Sequence, residues 1–167
     1  MIRPAGFDDR FNIAALMIQV WLHTYARNGL RDTISRYVLT EYTPEKIAAE
    51  IGVPGKRWLV AERDQHIVAL AVLELAADCP VTQRSLPCLH KLYVQEHFTG
   101  KGIGRNLLDE VMALSATTGA DTMWLTVSPR NPRAVAFYQR HGFVHVGSTD
   151  FVLEHERHEN HILHKPI

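Results

Sequence analysis

Three glycines alternate with larger residues in segment 99–104, TGKGIG. Glycine lacks a Cβ atom, so this backbone can turn sharply and approach a ligand closely. Apolar residues recur at helical spacing directly afterwards, which predicts a helix that begins near Ile103. The N–H groups at a helix start, together with the positive end of the helix dipole, attract phosphate. Because Lys101 and Arg105 add two positive charges, the segment predicts a phosphate-binding site.

The spacing of these glycines excludes two common phosphate-binding motifs. A P-loop requires Ser or Thr directly after Gly-Lys, but Gly102 follows Lys101. The dinucleotide fingerprint G-x-G-x-x-G would require a further glycine where the chain has Arg105 or Leu107. What remains is a diphosphate held mainly by backbone amides and without a metal ion, such as the pyrophosphate of coenzyme A.

A strand and a helix must position this segment. Residues 89–94 are rich in apolar, β-branched and aromatic side chains and predict a strand before the glycines. Residues 122–127 predict a buried strand after the helix, and residues 58–62 and 66–75 predict a hairpin. Strands and helices alternate after residue 88, with hairpins on either side. The chain is therefore predicted to form a mixed α/β sheet.

Cap and turn residues predict where other elements begin and end. Thr43 as N-cap and proline at the first helical position predict a helix over Pro44–Ile51. Asp8 or Asp9 is predicted to cap an earlier helix. Residues 80–87 are predicted to form a loop that is too short to link two domains.

Composition and charge limit the class of protein. With 167 residues, 46% of them hydrophobic, we expect one domain over residues 1–167. Lys plus Arg and Asp plus Glu number 18 each, which argues against a general nucleic-acid binder. No apolar run approaches the length of a membrane span and the N-terminus lacks a signal layout, so a cytoplasmic protein is expected. Cys79 and Cys88 are interpreted as thiols rather than a disulfide.

Two segments resemble the signatures of the GCN5-related N-acetyltransferase (GNAT) superfamily. Residues 99–104 are similar to the acetyl-CoA signature [QR]-x-x-G-x-[GA], except that Thr99 stands where Gln or Arg is usual. Residues 131–143, NPRAVAFYQRHGF, match the second signature N-x-x-A-x-x-F-Y-x-x-x-G-F completely. A weaker likeness in residues 21–44 and 150–153 points to polyamine acetyltransferases of the PaiA type.

The resemblance implies a fold and an activity. The fold is a mixed, mostly antiparallel central sheet with a splayed central strand pair flanked by helices, the acyl-CoA N-acyltransferase fold. The activity is transfer of the acetyl group of acetyl-CoA, a co-substrate, to a primary amine of a polyamine-like or amino-acid-like small molecule. The amine would attack directly in a ternary complex, with no metal, nucleic acid or membrane involved. Alternatives are a protein or peptide N-acetyltransferase and a non-catalytic acyl-CoA-binding regulatory module.

The resemblance also implies roles for individual residues. The glycine segment would contact the pyrophosphate, and the Asn131 side chain would bond to the pantetheine arm. Tyr138 is the candidate general acid for the departing thiolate, because a phenol titrates near a pH of about 10. The predicted cofactor-binding residues are Leu92, Tyr93, Val94, Thr99, Gly100, Lys101, Gly102, Ile103, Gly104, Arg105, Asn131, Arg133 and Tyr138.

The general base is left open among three residues. In addition to Tyr138 as the acid, His90 is the catalytic candidate for the base, because histidine titrates near neutrality and His90 precedes the cofactor-binding strand residues. Glu74 and Glu96 are the alternatives, with or without a bridging water. A histidine on a strand is also an ordinary hydrogen-bonded structural residue.

Aromatic and histidine side chains of the N-terminal third are candidates for the acceptor wall. In the family, the segment between the first two helices lies over the acceptor pocket. The alternative is ordinary packing in the core. The candidates are Trp21, His23, Tyr25, Tyr37 and Tyr42.

Histidines recur every three residues near the C-terminus, at positions 155, 158, 161 and 164. On a helix they would share one face and could hold zinc or nickel, whereas on a strand this spacing scatters them. Strand-like neighbours favour the second interpretation, so no metal site is predicted. Glutamates interleave with these histidines, which weakens the polyamine assignment because a polycation requires a clean acidic patch. A homodimer through sheet edges in this region is an alternative to a monomer.

Overall fold

The computed structural model describes all residues, 1–167, as seven strands and five helices. No helix is both long enough and apolar enough to cross a bilayer. Short 3₁₀ turns occur at Phe7–Asp9 and Glu96–Phe98. The elements are β1 (Ile2–Pro4), α1 (Arg10–Tyr25), α2 (Asp32–Glu41), α3 (Pro44–Ile51), β2 (Lys56–Arg63), β3 (His66–Asp78), β4 (Ser85–Val94), α4 (Ile103–Ala116), β5 (Thr122–Val127), α5 (Pro132–Arg140), β6 (Val144–Leu153) and β7 (Glu156–Pro166).

The strands form one mixed sheet in the order β1-β2-β3-β4-β5-β7-β6. β1 pairs antiparallel with β2, and β7 pairs antiparallel with both β5 and β6. β4 and β5 pair in parallel through only two residue pairs, Cys88 with Trp124 and Leu89 with Leu125, although β4 continues to Val94. The mixed sheet, its briefly paired central strands and the helices confirm the predicted fold class.

The chain forms two compact units, and their boundaries fall within β3, β4 and α4. The first unit contains Met1–Leu73 and Lys91–Val111, and the second contains Glu74–His90 and Met112–Ile167. The single domain expected over residues 1–167 stays a prediction.

An ion-pair network holds β1 in the first unit. Arg3 donates to Asp9 Oδ2 at 2.7 Å and also to Glu62. Asp9 is at the N-cap of α1, as predicted, but its carboxylate makes no capping bond and instead accepts from the Gly6 N–H at 2.8 Å. The Arg3 guanidinium holds the pKa of Asp9 below its ordinary value. A tertiary charge pair therefore replaces the local cap that the sequence predicts.

Cap and turn residues predicted the bounds of one helix correctly and the bounds of one loop incorrectly. α3 runs over Pro44–Ile51 as predicted, and Thr43 Oγ1 accepts from the Lys46 N–H at 3.3 Å. The loop predicted over residues 80–87 is wrong in its last three residues, because β4 begins at Ser85. The Cys79 N–H donates to the Arg84 carbonyl at 2.9 Å and closes the chain reversal earlier.

A small core in the second unit surrounds both cysteines. Cys79 and Cys88 are buried together with Leu86, Trp124 and Ile162. Cys79 Sγ lies 3.3 Å from His164 Nε2. Burial lowers the pKa of His164 below its ordinary value, and the positive charge of Arg84 lowers it further.

Replacing His164 by glutamine is expected to flatten the pH dependence of stability. Because folding lowers the pKa of His164, the folded chain binds fewer protons than the unfolded chain at mildly acidic pH. The free energy of unfolding therefore decreases as the pH falls from the ordinary pKa of histidine, about 6.5, through the lower pKa of His164 in the folded chain. We expect an effect below about 1 kcal/mol, since solvent screens a half-buried imidazole.

Urea unfolding at neutral and mildly acidic pH measures this effect in the parent chain and in His164→Gln. His155→Gln is the control, because His155 is in the exposed turn between β6 and β7. An equal loss of free energy on acidification in the parent and in His164→Gln would contradict the assignment.

The C-terminal histidines lie on a hairpin rather than on a helix. His158 Nε2 lies 3.0 Å from Glu156 Oε2, and the ring of His161 stacks on His145 with centroids 4.4 Å apart. His164 instead contacts Cys79. No three His, Cys, Asp or Glu side chains come close enough together to hold a metal ion.

Candidate active site

The glycine segment in the first unit forms a turn that leads into α4. Gly100 and Gly102 have φ angles of +74° and +81°. A residue with a Cβ costs about 1–2 kcal/mol in this left-handed region. The Asn106 N–H donates to the Gly102 carbonyl at 3.0 Å and begins the helix. The N–H groups of residues 103–105 precede that bond, so they have no acceptor within the helix.

Cations surround this turn at the surface. Lys101 is exposed, with Nζ 5.0 Å from the ring centroid of Phe98. Arg105 Nε lies 3.8 Å from Asp109 Oδ2, and both side chains are exposed. Thr99 donates its hydroxyl to the Glu96 carbonyl at 2.9 Å, so that proton closes the turn. Left-handed glycines, helix-start N–H groups and two cations fit a diphosphate anion.

Replacing Gly102 by alanine is expected to weaken coenzyme A binding about tenfold. The added Cβ meets no atom within 4 Å, so the effect comes from the positive φ and not from a clash. Strain of about 1–2 kcal/mol would displace the turn, and 1.4 kcal/mol corresponds to tenfold in affinity. Calorimetric titration with coenzyme A measures the loss.

Gly119 provides a matched control for this substitution. It also has a φ of +74° and open space around its Cβ position, but it follows α4 rather than preceding it. Gly119→Ala should therefore reduce stability as Gly102→Ala does, with unchanged coenzyme A affinity. Equal affinities for Gly102→Ala and the parent would remove the turn from the phosphate site.

The strand before the turn joins an aromatic cluster within the first unit. Leu92–Val94 is half-buried, and the following Gln95 N–H donates to the Val68 carbonyl at 2.9 Å. Tyr93 is hydrogen-bonded through its side chain to Tyr42. Four of the predicted wall residues belong to this cluster: Trp21, Tyr25, Tyr37 and Tyr42. The fifth, His23, pairs with Glu96 at 3.3 Å, and Tyr93 is a member that the sequence did not suggest for the wall.

In the second unit, two of the candidate bases contact each other. His90 Nε2 lies 2.7 Å from Glu74 Oε2, and both side chains are about one third exposed, at 37% and 32%. A carboxylate accepts hydrogen bonds only, so the proton of neutral His90 is on Nε2 and its lone pair is on Nδ1. Cys88 Sγ lies 3.9 Å from that Nδ1. The period of two along a strand could have indicated that Cys88 and His90 share a face.

The second signature folds as α5 and its caps. Asn131 is the N-cap, and its Oδ1 accepts from the Ala134 N–H at 3.1 Å. The cap uses the oxygen, while the Nδ2 group is the remaining donor of this side chain. Tyr138 is 7% exposed, with ring centroids 5.3 Å from Phe137 and 5.5 Å from Phe143. Arg133 is exposed on the first turn of α5.

Comparison with known proteins gives a family match and a set of similar chains. Residues 20–143, well over half of the chain, match the model of the Acetyltransferase (GNAT) family. An uncharacterised N-acetyltransferase of Mycobacterium tuberculosis is 32% identical over 127 residues, which cover 76% of this chain and 77% of that protein. The spermidine N(1)-acetyltransferase of Thermoplasma acidophilum is 24% identical over 159 residues, which cover 92% and 94%.

Among solved structures, the PaiA N-acetyltransferase from Thermoplasma acidophilum in complex with coenzyme A is similar to the whole chain. The TM-score is 0.81 at 23% identity, with 100% of this chain and 98% of that chain covered. At this level of identity the likeness shows the fold.

Proposed function

Because the chain belongs to the acetyltransferase (GNAT) family, we propose that it transfers the acetyl group of acetyl-CoA to a primary amine of a small molecule, by direct attack in a ternary complex. The main observation in support of this proposal is the hydrogen bond between His90 and Glu74. An acetyltransferase must remove a proton from its acceptor amine, whereas a domain that only senses acyl-CoA needs no base. A histidine oriented by a carboxylate supports catalysis.

Acetyl-CoA, when bound, supplies the acetyl group as a thioester. The N–H groups at the start of α4, together with Lys101 and Arg105, hold its pyrophosphate. The backbone of Leu92–Val94 holds the pantetheine arm. These roles rest on the resemblance of the two segments and on the geometry of the turn.

His90 and Tyr138 exchange protons with the reacting groups in this proposal. His90 accepts a proton at Nδ1, directly or through a water, while its Nε2–H stays hydrogen-bonded to Glu74. The carboxylate fixes the tautomer and stabilises the imidazolium that forms. Tyr138 donates its phenolic proton to the departing thiolate. Glu96 is less suited to the role of base, because it pairs with His23.

Release of thiol from acetyl-CoA across an amine panel tests the proposal. The panel contains polyamines, amino acids, aminoglycosides and short peptides, with calorimetric binding of acetyl-CoA measured in parallel. Release with one class of small amine is expected. Release with peptides alone would replace the small-molecule acceptor by a protein or peptide. Binding without release would leave a sensor, and absence of binding would overturn the assignment of the phosphate turn.

A further inference from the structure

We propose that the aromatic cluster of the first unit is the acceptor wall and selects an amine with one positive charge on an aromatic or apolar body, in preference to a polyamine. The cluster consists of Trp21, Tyr25, Tyr37, Tyr42 and Tyr93. This inference rests on the proposed function, since it names the class of acceptor for the same reaction.

The rings pack as a continuous surface. Trp21 and Tyr25 are four residues apart and share a face of α1, with centroids 4.7 Å apart. Trp21 also packs against Tyr37 of α2, with ring centroids 4.8 Å apart. Tyr37 meets Tyr42 edge to face at 5.8 Å. Trp21 and Tyr42 are 8% and 5% exposed, whereas Tyr25, Tyr37 and Tyr93 are half-buried, so the edge of the cluster reaches the surface.

A chain of phenol hydrogen bonds fixes the orientation of these rings. Tyr42 is hydrogen-bonded to both Tyr37 and Tyr93 through their side chains. Burial raises the pKa of each of the three tyrosines above its ordinary value, so all three are neutral at physiological pH. They present π faces and phenol dipoles but no negative charge. An ammonium group is attracted to such faces without a carboxylate.

The carboxylates beside the cluster are already paired. Glu41, whose charge contributes to the raised pKa of Tyr37, lies 3.2 Å from Lys46 Nζ. Glu96 lies 3.3 Å from His23 Nε2. The rings can accommodate one ammonium, and the further charges of a polyamine would need anionic partners that these two paired carboxylates do not supply. The pairing of Glu41 and Glu96 therefore favours a monocation.

Tyr93 connects the cluster to the cofactor. It is the central residue of the Leu92–Val94 run, whose backbone holds the pantetheine arm in the proposed function. Its side chain is hydrogen-bonded to Tyr42 within the cluster. An acceptor resting against these rings would thus lie beside the strand along which the thioester is held.

Calorimetric titration of the coenzyme A-saturated chain with 2-phenylethylamine, 2-phenylethanol and spermidine tests the wall independently of turnover. We expect 2-phenylethylamine to bind about tenfold more tightly than its neutral analogue, as expected for a cation over aromatic rings. In the thiol-release assay, the kcat/KM for 2-phenylethylamine should exceed the kcat/KM for spermidine by about tenfold. Tyr37→Leu should bring the ratio of amine to alcohol affinity to about one, while Tyr37→Phe keeps most of it.

Two further variants keep the test decisive. Tyr25→Leu replaces Tyr37→Leu if the latter fails to fold, and Phe11→Leu, which removes an exposed ring from the same helix, should leave the ratio unchanged. Equal or tighter binding of spermidine, or an unchanged ratio in Tyr37→Leu, would overturn the inference. Release with other amines but no binding of 2-phenylethylamine would leave the proposed function standing and remove the wall. Binding of 2-phenylethylamine without release of thiol from any amine would support the wall and contradict the proposed function.

Discussion

Replacing His90 by glutamine is expected to lower kcat by about two to four orders of magnitude, the usual contribution of a general base. A glutamine amide still donates to Glu74, so the hydrogen bond of 2.7 Å is retained in kind. It cannot accept a proton near neutral pH, and the acid limb of the pH–rate profile that a histidine base produces should disappear. Steady-state thiol release as a function of pH measures both effects, and the KM for acetyl-CoA should not change.

Replacing Glu74, the carboxylate that contacts His90, gives a second test with a smaller expected loss of kcat. Glu74→Gln keeps an acceptor for the His90 Nε2–H but removes the charge, so we expect a smaller loss of about tenfold to a hundredfold in kcat. The double variant should lose little more than His90→Gln alone, because residues that act as a unit are not additive. His158→Gln makes the same change at a similar contact, with Glu156 at 3.0 Å, and should have unchanged kcat. Full activity in His90→Gln would contradict the assignment of the base.

The second large effect is expected from Tyr138→Phe. This change removes only a hydroxyl, and the ring keeps its contacts with Phe137 and Phe143. If the phenol protonates the departing thiolate, kcat should fall by about two to three orders of magnitude. Coenzyme A affinity should stay within about threefold, because the phosphate turn is unaltered.

Three measurements on Tyr138→Phe separate catalysis from packing. Thiol release gives kcat, calorimetry gives the dissociation constant for coenzyme A, and urea unfolding gives the free energy of unfolding. A loss of kcat with retained affinity and stability supports general acid catalysis. Unchanged kcat would leave the ring as a buried packing residue, in keeping with its 7% exposure.

Elements with strong local signals were predictable from the sequence to the residue. The Thr43-Pro44 start sets α3 at Pro44–Ile51, and the apolar run 122–127 is β5. Predictions failed where distant groups compete with local ones. The Asp9 carboxylate bonds to Arg3 rather than capping α1, and Ser85–Pro87 joins β4 because Leu86 packs in a buried cluster.

The sequence alone determined those parts of the candidate site that depend only on residues close together in the chain. The glycines at positive φ and the cations beside them are set by short-range spacing. The tertiary structure decided which glutamate meets which histidine: Glu74 pairs with His90 across 16 residues of chain, and Glu96 pairs with His23. It also brought Tyr93 to the aromatic cluster. Such contacts depend on strand register and helix packing, which a periodic pattern does not specify without the rest of the sheet.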